Sequence, residues 1–256
     1  MAAPVWVDSH CHLFMLEDDH AAALERAAGQ GVTWIMAPGT DLETTLAARR
    51  LASRFPSSVG WSAGLHPHDA SLWPTQGGRI SSLAAEALAI GETGLDYYRN
   101  LSPQDEQLAA FSAQLALAAR LEKPIIVHCR DAFADVFAAL EDAALGERAI
   151  LHCWTGGPRW TKRFRDLGVT FSFAGPVTFE TGDTVRRGAA EAPPERTMVE
   201  TDTPFLAPPP YRGENNEPAN IPLIGAALAA VWGASVAEVA QWSTTTANRV
   251  YGRAAS

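Results

Sequence analysis

Eight short runs rich in apolar and β-branched residues recur along this chain with helical patterns between them, and that alternation limits the fold more than any other feature. The runs cover residues 5–8, 33–37, 59–65, 87–91, 125–128, 149–152, 170–174 and 198–201. Helical stretches fill 19–30, 42–55, 103–122, 132–143 and 158–167, and two more, 221–232 and 236–250, close the chain. Ser102-Pro103 ahead of Gln104-Asp105-Glu106 reads as a helix start, and Asn220 or Ser235 is placed to cap the last two helices. Strands separated by helix-length connections pair in parallel. Eight such units in 256 residues fit an α/β fold of one domain, residues 1–256, closed into a TIM-like (β/α)8 barrel. An open doubly wound sheet would call for a Gly-rich phosphate loop, and the sequence has none.

In such a barrel, catalytic groups stand at the carboxyl ends of strands. Polar residues able to hold metal fall at those ends with regularity. His10 and His12 follow the first run, Glu92 the fourth, His128 the fifth, His152 the sixth and Asp202 the eighth. Period-two alternation sends His10 and His12 to one face and Cys11 to the other, which suits a chelate. Taken singly, each of the six has an ordinary explanation as a turn, a cap or a core imidazole. Together, four imidazoles and two carboxylates suit two divalent ions that share one carboxylate. A closed structural zinc site needs only four ligands. Two neighbouring ions can activate a bridging water and clamp both oxygens of a displacement, which is hydrolytic chemistry.

Composition excludes several other classes. A chain that is 47% hydrophobic and 19% charged is ordinary for a globular protein. No window is apolar enough to span a membrane, and Met1 to Val7 lacks the basic start of a leader, so a cytoplasmic location is expected. Cys11, Cys129 and Cys153 form no disulfide framework, and each follows a histidine. If those histidines face inward, alternation turns all three thiols toward the outer helices, where they pack as small apolar groups. The net charge of −9 gives no general basic footprint for nucleic acid. Two divalent ions would raise that sum to −5 and reverse the local field.

Six blocks now carry a resemblance. They are His10-Cys11-His12-Leu13, Gly64-Leu65-His66-Pro67-His68, Gly91-Glu92-Thr93-Gly94-Leu95-Asp96-Tyr97-Tyr98, Val127-His128-Cys129-Arg130-Asp131-Ala132, His152-Cys153-Trp154-Thr155-Gly156, and the run from Glu200 to Pro208. In this order, over nearly the whole chain, they closely resemble the TatD-type metal-dependent deoxyribonucleases. The resemblance implies an amidohydrolase-type barrel with a two-metal phosphodiesterase site. It further implies one ion held by His10, His12, Glu92 and Asp202, and a second held by Glu92, His128 and His152, with Glu92 as the bridge. Asp202 would also accept a proton from the attacking water. His66 resembles a substrate-facing histidine, with a turn histidine before Pro67 as the alternative, and Glu200 would support the ligands from behind. Two positions depart from the pattern. Trp154 stands where phenylalanine is commoner, and Glu214-Asn215 replaces a basic pair, which removes positive charge beyond the eighth strand.

A phosphodiester substrate needs cations for phosphates and flat side chains for bases. Arg130 and Arg212 are the candidate cations, and Tyr97, Tyr98 and Trp154 the candidate platforms, because all lie in strand-end loops. The basic and aromatic stretch from Pro158 to Arg165 places Trp160 and Phe164 on one helical face, which packs on the barrel. The sequence therefore points to a monomeric hydrolase with two divalent ions per chain (magnesium, manganese or zinc), trimming single-stranded ends of DNA, or of RNA. One rival is an amidohydrolase-like enzyme cutting an amide, ester or lactone, although Glu92 stands where a carbamylated bridging lysine would. Another is a non-catalytic barrel braced by its ions.

Overall fold

A computed structural model of the protein describes residues 4–17 and 19–253. Residues 1–3, 18 and 254–256, which the single-domain expectation also covered, lie outside the described part, as does the start of the segment read for a leader. The strands are β1 (Trp6–Asp8), β2 (Val32–Ala37), β3 (Val59–Ala63), β4 (Ala89–Asp96), β5 (Ile125–Arg130), β6 (Ala149–Leu151), β7 (Thr170–Phe173) and β8 (Thr197–Val199). All neighbours pair in parallel in chain order from β1 to β8. At the seam, Ser9 N donates to Val199 O at 3.1 Å and Asp202 N to His10 O at 3.0 Å, so the sheet curls into a nearly closed barrel.

Helices α1 (His20–Gly29), α2 (Leu42–Arg54), α3 (Trp73–Ala84), α4 (Gln104–Leu121), α5 (Phe133–Ala143), α6 (Pro158–Asp166), α7 (Asp183–Ala189), α8 (Ile221–Trp232) and α9 (Val236–Val250) complete the fold. Ser235 caps α9 in a reciprocal box with Glu238. Asn220 caps nothing: it is already in helical geometry, and its amide donates to Asn216 Oδ1. Among the described residues, no single helix is long and apolar enough to cross a membrane.

Alternation divides the strands between two cores. Val7, Met36, Ile126, Ile150 and Met198 meet inside the barrel, joined by Tyr251 just beyond α9. Their neighbours Trp6, Ile35, Ile125, Val127, Leu151 and Val199 face the helices. Strand β4 lies against β5 closely enough that a Cβ at Gly94, where φ is +135°, would collide with the His128 carbonyl. Only glycine allows that approach, which brings Glu92 and Asp96 beside His128.

Candidate active site

The carboxyl ends of the strands open into a cavity of about 860 Å³, with His12, His66, Glu92, His128, His152 and Asp202 in its wall. His10 lies fully buried beneath them. Glu92 is at the centre, and its two oxygens face different partners. Oε2 is 3.3 Å from His10 Nε2 and 3.7 Å from His12 Nε2. Oε1 is 2.9 Å from His152 Nε2, 3.2 Å from His128 Nδ1 and 3.3 Å from His66 Nε2. Asp202 Oδ1 completes the first group, 3.5 Å from His12 Nε2 and 3.7 Å from His10 Nε2.

Those spacings test whether ions fit. Donor atoms held at the usual zinc distances from one ion stand roughly 3–3.6 Å from one another. The His10 and His12 Nε2 atoms are 3.1 Å apart, and both aim at two carboxylate oxygens. Two imidazole nitrogens that converge on the same carboxylate oxygens match a chelate. The donor set fits a divalent ion on each side of Glu92. The structure thus brings all six sequence-derived ligand candidates together, with His66 beside them.

The surroundings fix the charge of each group. Burial alone would raise the Glu92 carboxyl, but His152, His66 and His10 outweigh it and hold it well below the usual carboxylate range. Asp202 is likewise lowered: burial opposes ionisation, and His12 and His10 overcome that. Burial depresses His152 less than Glu92 and Glu200 raise it, so its imidazole stays protonated well above the ordinary range. His66 is pushed down to about 4, chiefly by burial, and stands neutral.

A second tier of polar residues orients the first. Glu200 Oε1 receives His152 Nδ1 at 3.2 Å and the Cys153 amide at 2.6 Å, as the sequence placed it. Asp96 and His68 were not singled out from the sequence. Asp96 Oδ2 lies 3.3 Å from His128 Nε2 and 2.8 Å from His68 Nε2, so one carboxylate steadies a ligand candidate and a cavity-lining histidine. A signal existed: Asp96 follows Glu92 by four residues, the same face of a strand. Gln107, buried on α4, accepts from Asp96 N and donates to Ser102 O, holding the end of β4 in place.

Four expectations need correction. Trp154 offers no platform: it is 1% exposed, its indole donates to Thr161 Oγ1 at 2.8 Å, and it packs among Phe133, Phe164 and Phe171. Tyr97 also turns from the cavity, donating its hydroxyl to Asp135. Its neighbour Tyr98, in the turn that follows the end of β4 at Asp96, faces the cavity instead. Arg212 donates to Ala207 O and covers Phe179 at 3.8 Å, so its charge is engaged away from the cavity wall. Among the thiols, Cys11 packs in the outer core, Cys129 packs there while also touching the cavity wall, and Cys153 lines the cavity without joining that core. Strand β6 ends at Leu151, and Cys153 takes φ +42°, which breaks the alternation that would have turned it outward. Of the seven described non-glycine residues with positive φ, Asp131, Cys153, Asp202 and Leu206 line this cavity, so backbone strain is concentrated at the site.

The Trp154 correction has a direct check. Trp154→Phe should cost about 1–2 kcal/mol in urea melts, through lost volume and a lost hydrogen bond, with KM unchanged. A fivefold rise in KM at unaltered stability would return Trp154 to the substrate.

Comparison with known proteins gives a consistent picture. The sequence model of the TatD related DNases matches residues 7–252. A 3′-5′ ssDNA/RNA exonuclease TatD of Klebsiella pneumoniae (strain 342) is 43% identical over 235 residues, covering 88% of this chain and 87% of that protein. An uncharacterized metal-dependent hydrolase, YcfH of Escherichia coli (strain K12), is 36% identical over 253 residues, covering 96% and 95%. The crystal structure of YJJV, a TatD homolog from Escherichia coli K12, superposes with a TM-score of 0.87 at 25% identity, covering 97% of this chain and 98% of that one.

Proposed function

The chain belongs to the TatD related DNase family of metal-dependent hydrolases, and from that premise we propose that it trims single-stranded ends of DNA, or of RNA, by hydrolysing phosphodiester bonds with two divalent ions. One observation carries the reading. Glu92 presents one oxygen to His10 and His12 and the other to His128 and His152, a carboxylate arranged to be shared. In the proposed site His10, His12, Glu92 and Asp202 hold one ion, and Glu92, His128 and His152 the other. When bound, magnesium, manganese or zinc supplies Lewis acidity at the phosphoryl group and acidifies water.

The protein's own groups do the rest. Asp202, kept ionised, accepts the proton of the attacking water. His66, buried and neutral, offers Nε2 as a hydrogen-bond donor toward a phosphoryl oxygen. Arg130, exposed on the cavity wall, supplies a cation to the strand. Glu200 meets His152 Nδ1 and Asp96 meets His128 Nε2, which turns the other ring nitrogen of each toward Glu92.

The test is to incubate purified protein with end-labelled single- and double-stranded DNA, RNA, and a panel of amides, esters and lactones, with and without chelator. We expect ion-dependent stepwise shortening of single strands, abolished by chelator and restored by added ion. Ion-dependent turnover of an amide, ester or lactone with all nucleic acids intact would refute the proposal.

A further inference from the structure

Ten large apolar residues among those described are exposed, and four of them, Met15, Tyr98, Leu101 and Phe205, line the one cavity that holds the ion ligands. Large apolar side chains grouped in water around a polar floor mark a contact surface. Their arrangement follows the two ligand groups. Phe205, 51% exposed, sits with its ring centroid 6.1 Å from that of His12, and its amide donates to Asp202 O at 2.8 Å. It therefore stands over the His10, His12 and Asp202 side. Tyr98, 62% exposed, stands on the other side: it follows Asp96, the partner of His128, and carries the Arg130 guanidinium over its ring at 4.0 Å.

Resting on the proposed nuclease reading, we infer that Phe205 and the Tyr98–Arg130 pair are two separate base stations, one for the nucleoside on each side of the scissile phosphate. A phosphate above Glu92 has a nucleoside leaving in each direction, and each meets an exposed ring. Aromatic faces accept any base, so the stations select unstacked, single-stranded nucleotides without reading sequence. Arg130 holds the Tyr98 ring in place by cation–π contact and offers its charge to the neighbouring phosphate. The shortest good substrate then carries a base on both sides of the cleaved bond, and a terminal phosphomonoester is a poor one.

The experiment uses the ion-loaded enzyme and oligodeoxynucleotides with an abasic residue at the terminal or the penultimate position of the degraded end. Phe205→Ala and Tyr98→Ala should each lower kcat/KM about tenfold on the intact strand, in the range of one lost stacking contact. An abasic residue at one position should remove the Phe205→Ala penalty alone, and at the other the Tyr98→Ala penalty alone. Phe205→Tyr and Tyr98→Phe, which keep the rings, should restore most of the rate. Wild-type enzyme that shortens single strands with no penalty for either abasic residue would overturn the inference while leaving the nuclease reading intact. Wild-type enzyme that neither binds nor shortens any oligonucleotide would overturn both.

Discussion

If the site holds the two ions proposed for it, Glu92→Gln should leave the barrel folded, lower the bound ions from two per chain to one, and reduce turnover on the order of 10³-fold, the consequence of losing several kcal/mol of charge stabilisation. The substitution keeps the shape of the side chain and one oxygen. It removes the charge that faces five imidazoles and the second oxygen that serves the other ligand group. Asp202 still joins His10 and His12, so the first group keeps an anionic member. The second group keeps only His128 and His152 as ligand candidates, which makes it the side expected to lose its ion. Metal content by mass spectrometry separates this from a simple loss of activity. Two ions per chain with turnover within tenfold of wild type would show that Glu92 is not shared.

Much of this site was legible because barrel geometry turns a linear pattern into a spatial one. Each of His10, His12, Glu92, His128, His152 and Asp202 could be assigned to a strand end, and strand ends of a parallel barrel share one mouth. What alternation alone decides was also readable, as with Cys11 in the outer core. It failed where the backbone leaves extended geometry. Cys153 and Trp154 lie past the end of β6, where a left-handed residue exchanges inward for outward. Helix α3 went unseen because Pro74, Gly77 and Gly78 give it a poor intrinsic propensity. Burial of Ile80 and Leu83 compensates, a tertiary effect that local pattern does not carry. The seven residues of α7 are too few to show a period. Asp96 and His68 were missed for another reason: their importance comes from sharing a partner across two strands, a relation that exists only once the strands are paired.

Asp8→Ala should cost about 3–5 kcal/mol of stability, because it leaves more than one buried polar group without its partner at about 1–3 kcal/mol each. Asp8 is fully buried between the first and last strands. Its Oδ1 accepts from Thr201 N at 3.0 Å and from His10 N at 3.3 Å, and Oδ2 is hydrogen-bonded to the Thr201 hydroxyl at 2.6 Å. One carboxyl group thus ties the seam of the barrel and sets the His10 segment against the Asp202 segment. Burial pushes its pKa up to about 8, against an ordinary value of 3.8, so in the ion-free protein at neutral pH it is mainly the neutral acid. An asparagine side chain reproduces that shape and most of those hydrogen bonds, and Asp8→Asn should therefore be far milder than Asp8→Ala. The sign of the pH dependence follows. A carboxyl with a raised folded pKa contributes stability that is fully present below about pH 4 and lost as pH rises toward 8, because the unfolded chain releases the proton first. In urea melts with chelator at pH 5, 6 and 7, Asp8→Asn should gain on wild type by about 1.4 kcal/mol per pH unit. A gap that does not change with pH would mean that Asp8 is ionised in the fold and that the seam is held by a charge rather than by a neutral acid.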